Sequence, residues 1–287
     1  MKKRSILTGV FFSFLAIVGF CALFAIPFII SFVFSFSKSS GTFQFVGFEN
    51  YISLFQSSSF RLACVNTIRF FAAGLILLLV FSMLMAVMMT NLFRYRVKYR
   101  SFWFALNLCP MVIPSSAIIL FIQIMLERYG VVNGLLTSWG MNPVDFLHGP
   151  ASFWVLVVLY IWKNYSYIMV VLFAGMRQID NEIYEAAALD GAGKGKTFFH
   201  ITLPNIIPFL IFGVIMGIMG IFKSFRESFL MFGEYPHEAA YMLQNFMNNN
   251  YYSLNYQRLS SASVVFFLAI SIILIVMLKI NAKEREL

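Results

Sequence analysis

Six long apolar runs constrain this chain more than any other feature of its sequence. They cover about 8–34, 63–90, 102–126, 152–174, 205–225 and 259–280 of its 287 residues. Each run is long enough for a helix to cross the roughly 30 Å hydrocarbon core of a bilayer, and too long for a barrel strand of about 9–11 residues. Because only helices and closed barrels satisfy their backbone groups in lipid, the runs predict an all-α integral membrane protein with six transmembrane helices.

The composition supports this fold class. Hydrophobic residues make up 60% of the chain and charged residues 11%, whereas soluble domains carry about 25% charged residues. The six spans and their loops use most of the length, so we expect a single transmembrane domain over 1–287. The first run exceeds the h-region of a signal peptide, which is about 7–15 residues long, and we interpret it as a retained span.

The basic residues predict the topology. They are concentrated at the two termini and in the loops after the second and fourth runs, whereas the other loops carry few. The first group comprises Lys2, Lys3, Arg4, Arg94, Arg96, Lys98, Arg100, Arg177, Lys194, Lys196, Lys279, Lys283 and Arg285; the second comprises Lys38, Arg61, Arg128 and Arg258. The positive-inside rule therefore places both termini in the cytoplasm. The net charge of +9 is mostly this topology signal, and we do not expect nucleic-acid binding.

The loop 175–204 is the longest segment that this topology places in the cytoplasm. Its sequence "IDNEIYEAAALDGAGKGK" is typical of a short helix. Asp180 or Asn181 can cap the amino end, acidic residues follow near the positive helix pole, and "EAAA" favours helix. Gly191 can adopt the left-handed conformation that ends a helix, and Pro204 suits the first turn of the fifth span.

The same loop contains "GKGKT", which looks like the end of a phosphate-binding P-loop. A P-loop requires the pattern G-x-x-x-x-G-K-[ST] after a strand. Asp190 stands where the first glycine is needed, and the segment follows a helix. We therefore do not expect this chain to bind a nucleotide.

The loop resembles a known motif. Glu185-Ala186-Ala187, then Gly191, then Ile201-Thr202-Leu203-Pro204 looks like the "EAA…G…IxLP" loop of ABC importer permeases, with the same spacing from the acid to the proline. The resemblance implies a type I ABC importer permease fold in which the short helix is a cytoplasmic coupling helix, docked on a separate ATPase. The residues that it implies for ATPase coupling are Glu182, Glu185, Ala186, Ala187, Asp190, Gly191, Ile201, Leu203 and Pro204.

Further segments resemble the carbohydrate-uptake branch of that family, of the maltose and glycerol-3-phosphate permease kind. They are "YGVVNGLL", "WKNYSYIMVVLFAGMRQI" and Asp190-Gly191-Ala192; "FGEYP" departs from the glycine-rich turn of many such permeases. The resemblance implies a sugar or oligosaccharide substrate and the cytoplasmic membrane of a prokaryote. The partners that it implies are a second homologous permease chain, an ATPase dimer and an extracytoplasmic solute-binding protein. ATP and Mg²⁺ would then be bound by the ATPase, and this chain would bind no cofactor.

Polar side chains at membrane depth usually face a bundle interior or a cavity, and they are the candidates for a substrate path. Sugar hydroxyls need donors and acceptors, so we single out Asn164 and Tyr165, with Asn66, Arg69, Gln123 and Lys163 as further candidates. The alternative is structural: Asn164 can bridge two helices, and Tyr165 can belong to an interfacial aromatic belt.

Other features favour structural roles. Lys223 and Glu227 are one helical turn apart and can pair, whereas Gly213 and Gly217 form a small-residue face for close helix packing. Pro110 and Pro114 should kink or break the third span, and for them a gate or cavity and a structural bend remain equal alternatives. The three cysteines and three histidines are dispersed, so we expect neither a metal site nor a disulfide framework.

Two other functional classes remain as alternatives. An ion-coupled secondary transporter of a small polar solute usually carries a carboxylate within the bilayer, whereas the twelve acids of this chain fall in loops or near helix ends. A membrane enzyme would require a nucleophile with its base, or a metal cluster, and the sequence offers neither.

Overall fold

The computed structural model describes residues 13–38 and 44–284. Over these ranges the chain is almost entirely helical, apart from an isolated bridge between Ser37 and Phe45. The helices are α1 (Ser13–Ser35), α2 (Glu49–Gln56), α3 (Ser58–Arg94), α4 (Arg100–Val112), α5 (Ser115–Leu126), α6 (Val131–Ser138), α7 (Ser152–Arg177), α8 (Asn181–Leu189), α9 (Lys194–Thr197), α10 (Ile207–Lys223), α11 (Phe225–Phe232), α12 (Leu243–Tyr252) and α13 (Tyr256–Glu284).

Six helical segments in the described ranges are long and apolar enough to cross a membrane. They are Ser13–Ser35, Ser58–Arg94, Ser115–Ser138, Ser152–Arg177, Ile207–Phe232 and Tyr256–Ile273. The prediction of an all-α membrane protein with six spans is confirmed. The basic residues predicted to hold the amino terminus inside, Lys2, Lys3 and Arg4, lie outside the described residues, as does Arg285.

The residue contacts divide the chain into two compact units, Met1–Arg61 with Phe246–Val276, and Leu62–Asn245 with Met277–Leu287. In the first unit, Ser35 at the end of α1 is buried and its carbonyl accepts hydrogen bonds from Asn50 Nδ2 (2.9 Å) and Ser261 Oγ (3.3 Å). The Phe28 and Phe267 rings pack with centroids 4.5 Å apart. These contacts join α1 to α2 and α13.

In the second unit, α3, α7 and α10 form the hydrophobic core around buried side chains such as Phe70, Leu78 and Met169. Two glycines let α10 approach closely. A Cβ atom at Gly213 would lie 3.0 Å from Ile168 of α7, and one at Gly217 would lie 2.7 Å from Leu75 of α3. The predicted small-residue packing face is thereby confirmed.

The helix over the third apolar run, 102–126, is broken, as the two prolines predict, and the candidate span Ser115–Ser138 begins after the break. α4 ends at Val112, Ile113 and Pro114 are extended, and α5 begins at Ser115. Ile113 adopts this conformation because the residue before a proline is sterically disfavoured in the α region. Pro110 is accommodated inside α4.

The fifth span begins later and ends later than its apolar run. α10 starts at Ile207 with Pro208 in its first turn, and helix resumes in α11 as far as Phe232. We predicted that Pro204 lies in the first turn of this span. It instead belongs to a separate short turn, Leu203–Asn205. The prediction was wrong because Pro204 and Pro208 both satisfy the rule for a first helical turn.

Candidate functional site

The loop after α7 forms the short helix that its sequence predicts. α8 runs from Asn181 to Leu189 with Asp180 at its N-cap, where the backbone is extended, although the Asp180 side chain makes no capping hydrogen bond. Glu182 in the first turn and Glu185 one turn later are both exposed. Their charges lie toward the positive end of the helix, where anions are favourable.

Gly191 ends α8 with a pair of backbone hydrogen bonds. Its φ is +74°, a left-handed conformation that is accessible to glycine without a Cβ penalty. Its amide donates to the Ala188 carbonyl (3.1 Å), and the Ala192 amide donates to the Ala187 carbonyl (2.9 Å). This is a Schellman motif, which satisfies the last carbonyls of a helix. The predicted stop at Gly191 is confirmed.

Tyr184 attaches α8 to the ends of two membrane helices. The guanidinium carbon of Arg94, the last residue of α3, lies 3.8 Å from the centroid of the Tyr184 ring. The Tyr184 hydroxyl is 3.1 Å from the hydroxyl of Thr202, which is buried in the segment leading to α10. One side chain therefore contacts the second span and the entry to the fifth.

Most of the other side chains of α8 are exposed. Leu189 is 90% accessible and Ile183 44%, although both are large apolar side chains on a polar loop. Ala186 is exposed and Ala187 is buried, so the alanines divide between an outer surface and the contact with the rest of the loop. Exposed apolar side chains beside small residues and carboxylates are the composition of a docking surface.

The returning segment, Lys194–Asn205, is helical but irregular. α9 continues into a π-helical turn, Phe198–Thr202, and such turns are common at functional sites. Ile201 and Leu203 of the returning segment are half-buried. Asp190, at the end of α8, and Pro204 are exposed. The predicted coupling residues are thus exposed or half-buried, except for Ala187, which is buried.

A second feature of this unit is a cavity of about 330 Å³ between α4, α7, α10 and α11. Its walls are apolar, with Met111, Leu156, Ile168, Met216 and Met219. Polar side chains point into one region of it: Tyr160, Lys163, Asn164, Tyr167, Lys223, Ser224 and Glu227. An apolar pocket with a few convergent polar groups is the usual form of a small-molecule site.

Asn164 lies in this cavity at the middle of α7. Its Nδ2 donates to the Tyr160 carbonyl at 2.8 Å, which fixes the amide. A Cβ atom at Gly220 would lie 3.3 Å from Asn164 Oδ1 and from the Tyr160 hydroxyl, so Gly220 leaves open the space in front of both groups. The amide and Tyr167 together offer the hydrogen-bonding and aromatic surface that a sugar ring requires.

Four of the six predicted path residues lie elsewhere. Asn66 is only 2% exposed, and its Nδ2 donates to the carbonyls of Glu238 (2.6 Å) and Tyr241 (3.0 Å). Gln123 donates to the carbonyls of Leu230 and Met231, which joins α5 to α11.

Tyr165 and Arg69 are the other two. Tyr165 is buried, its hydroxyl donates to Asn107 Oδ1 at 3.2 Å, and its ring packs on Phe81. Arg69 is exposed on α3. None of these four side chains lines the cavity in the described part of the chain.

The predicted pairing of Lys223 with Glu227 is wrong in this structure. Both side chains line the cavity, but Glu227 Oε1 accepts a hydrogen bond from Ser115 Oγ at 2.9 Å. In the described part of the chain, Lys223 and Glu227 form no ion pair within 4.0 Å. Helical spacing permits an i,i+4 pair, but the carboxylate finds a partner on α5 instead.

The site includes residues that sequence reasoning missed. Tyr184 is adjacent to the motif acid Glu185, which was its only signal. Tyr160 donates its hydroxyl to the Gly217 carbonyl at 2.6 Å, and no pattern in the sequence links these two positions. In the described ranges, no three His, Cys, Asp or Glu side chains approach closely enough to hold a metal ion.

Comparison with known proteins identifies the family. Residues 78–283 match the family described as "Binding-protein-dependent transport system inner membrane component". A probable ABC transporter permease of Bacillus subtilis, YurN, is 31% identical over 85% of this chain and 85% of its own length. MalF, the trehalose/maltose transport system permease protein of Thermococcus litoralis, is 28% identical over 84% of this chain and 81% of its own.

A solved structure has the same fold. A chain of a bacterial alginate ABC transporter, in complex with an alginate pentasaccharide-bound periplasmic protein, matches with a TM-score of 0.82 at 23% identity. The match covers 98% of this chain and 94% of that one. On the family match and the YurN similarity together, the chain belongs to the binding-protein-dependent transport system inner membrane components and is an ABC transporter permease.

Proposed function

We propose that this permease imports a sugar or oligosaccharide, and that α8 transmits the movements of a separate ATPase to the membrane helices. The observation that carries the proposal is the structure of the loop 175–204. α8 is ended by the Schellman motif at Gly191 and bound to α3 and the fifth-span entry through Tyr184. It leaves Leu189 and Ile183 exposed.

This arrangement can transmit motion from a bound partner to the membrane helices. A partner that binds the exposed apolar side chains of α8 moves Tyr184 with the helix, and Tyr184 contacts both Arg94 and Thr202. The Schellman motif at Gly191 and the contacts of Tyr184 hold this short helix at both its end and its middle, which suits the transmission of a displacement. The coupling residues that we propose are Glu182, Glu185, Ala186, Ala187, Asp190, Gly191, Ile201, Leu203 and Pro204.

The substrate class is proposed from the cavity and the relatives together. Asn164, Tyr160 and Tyr167 present hydroxyl and amide groups beside methionine side chains, which suits a molecule with many hydroxyls and an apolar ring face. MalF of Thermococcus litoralis is a trehalose/maltose permease. We therefore propose that Asn164 contacts the solute, with Lys163 in the same cavity wall.

The proposed assembly contains a second homologous permease chain, an ATPase dimer that binds ATP and Mg²⁺, and an extracytoplasmic solute-binding protein. Both termini are proposed to lie in the cytoplasm. Arg94 contacts Tyr184 of α8, so one of the basic loops and the proposed ATPase-docking helix occupy the same end of the unit, as the positive-inside rule requires.

Reconstitution tests the proposal. The chain is co-expressed with a candidate ATPase, a second permease and a solute-binding protein from its own organism, and uptake into proteoliposomes is measured with radiolabelled maltose, trehalose, arabinan oligosaccharides and glycerol 3-phosphate. We expect uptake of a saccharide, and this uptake should require ATP on the side of the membrane where the ATPase is bound. Leu189→Asp should abolish solute-stimulated ATP hydrolysis while the chain still inserts, because it places a charge on the docking face.

Gly193→Ala is the matched control, since Gly193 lies in the same loop in open space with φ of −69°, and it should retain coupling. Uptake that runs on a sodium or proton gradient without ATP would instead establish the secondary transporter. Full coupling in the Leu189→Asp complex would refute the assignment of α8.

A further inference from the structure

The break in the third span leaves backbone carbonyls without helical partners at the cavity wall. Pro114 has no N–H, so it cannot donate to the carbonyl of Pro110, four residues earlier. Ile113 lies between α4 and α5 in extended conformation; its amide still donates to the Cys109 carbonyl at 3.0 Å, but its own carbonyl has no helical donor. Non-helical backbone at membrane depth is tolerated only where protein or water satisfies it.

Lys163 of α7 supplies the missing donor. Its ammonium group donates to the Pro110 carbonyl at 3.1 Å and also to the Ile113 carbonyl. These groups lie at the carboxyl end of α4, which is the negative pole of that helix, so a cation is favourable there. A single side chain from another helix thus caps the first half of the span.

Glu227 of α11 caps the second half of the span, α5, with a negative charge. Its Oε1 accepts the hydrogen bond from Ser115, the first residue of α5. The amino end of α5 is a positive pole, where an anion is favourable. Lys163 and Glu227 both line the cavity.

We infer that Lys163 and Glu227 are positioning residues that fix the geometry of the third span at its break, and that a solute in the cavity acts on this break through them. A solute hydroxyl that binds Lys163 competes with the Pro110 and Ile113 carbonyls. One that binds Glu227 competes with Ser115. Occupancy of the cavity and the angle between α4 and α5 are therefore linked.

This link to transport rests on the proposed function, whereas the capping itself does not. Lys223 of α10 is a third charged residue that lines the cavity. Unlike Lys163 and Glu227, it does not contact the break. Lys223 is therefore a matched control: it is the same residue type in the same cavity.

Electron paramagnetic resonance on the full chain in lipid nanodiscs tests the capping without solute or ATPase. Cys21, Cys64 and Cys109 are replaced by serine, and nitroxides are attached after Ala105→Cys and Leu120→Cys. Both positions are exposed and outside the cavity, and a straight helix would separate them by about 22 Å. We expect one narrow distance distribution, which Lys163→Arg retains and Lys163→Met loses in favour of a broad one.

Two further variants complete the spectroscopic test. Ser115→Ala removes only the contact on the α5 side, so it should broaden the distribution even if Lys163→Met fails to yield monodisperse protein. Lys223→Met should leave it unchanged. Distributions for Lys163→Met and Ser115→Ala that match the parent, or equal broadening by Lys223→Met, would overturn the inference.

The link to transport is tested in the reconstituted complex. Lys163→Met should lower the maximal uptake rate by at least about tenfold, because it removes two charge-assisted hydrogen bonds and the loss of one corresponds to about that factor; Lys163→Arg should restore the rate. If Lys163→Met loses the narrow distance distribution but its uptake kinetics are unchanged, the link to transport is refuted, whereas the capping of the break by Lys163 stands. Absence of any ATP-driven uptake in the parent complex would instead contradict the proposed function.

Discussion

Asn66 gives the sharpest test of whether a polar side chain in this membrane protein serves structure or substrate. Asn66→Leu removes a donor that is 2% exposed and that contacts two carbonyls, at 2.6 and 3.0 Å, in the segment more than 170 residues further along the chain. A net hydrogen bond contributes about 1 kcal/mol, and a buried carbonyl left without its donor costs about 1–3 kcal/mol. The Glu238 carbonyl keeps a longer bond, from the Tyr241 amide at 3.3 Å. The expected loss in free energy of unfolding is therefore about 2–4 kcal/mol.

Thermal unfolding of the protein in detergent, followed by intrinsic fluorescence, measures this effect. A loss of this size lowers the apparent Tm by roughly 5–10 °C for a chain of this length. Arg69→Leu is the control, because Arg69 lies one turn further along α3 and is exposed; its Tm should change by less than about 2 °C. An Asn66→Leu protein with the parental Tm and a raised KM for uptake would refute this reasoning and place Asn66 on the solute path.

The remaining predictions concern packing and coupling. Gly191→Val should lower the free energy of unfolding by about 1–2 kcal/mol, since its φ is +74° and side chains are strained there; Gly193→Val, at φ −69°, is the control in the same thermal assay. Gly217→Ala should cost about 1–3 kcal/mol by overpacking, because its Cβ would lie 2.7 Å from Leu75, whereas Gly134→Ala should be neutral; equal Tm values would contradict the close packing. Tyr184→Phe should lower the free energy of unfolding by about 1 kcal/mol and Tyr184→Leu by about 0.5–1 kcal/mol more. Both variants should import fewer solute molecules per ATP hydrolysed. An unchanged ratio in Tyr184→Leu would exclude Tyr184 from transmission.

The parts of this fold that the sequence predicts are those governed by local chemistry. Apolar length gives the spans, proline chemistry gives the break at Ile113–Pro114, and glycine gives the end of α8. Each of these depends on a few consecutive residues and on the solvent, whether lipid or water. The partner of each group lies within one helical turn, so no tertiary information is needed.

The roles of the polar side chains in the membrane could not be predicted in the same way. Asn66, Gln123 and Lys163 all donate to backbone carbonyls, and every residue has a carbonyl. A side chain that binds backbone therefore leaves no complementary residue type elsewhere in the sequence. Sequence alone therefore does not distinguish a polar residue that binds backbone from one that lines a path; of the six candidates, Lys163 and Asn164 line the cavity.

The bond from the Tyr160 hydroxyl to the Gly217 carbonyl has a consequence for the order in which the chain assembles. The two residues are 57 positions apart, so at synthesis rates of about 5–20 residues per second Tyr160 precedes its acceptor into the bilayer by roughly 3–11 s. During that interval α7 has another polar partner already in place, because Ser166 donates to the Asn107 carbonyl of α4 at 2.6 Å. We therefore expect the nascent protein to join α7 to α4 first and to receive α10 afterwards.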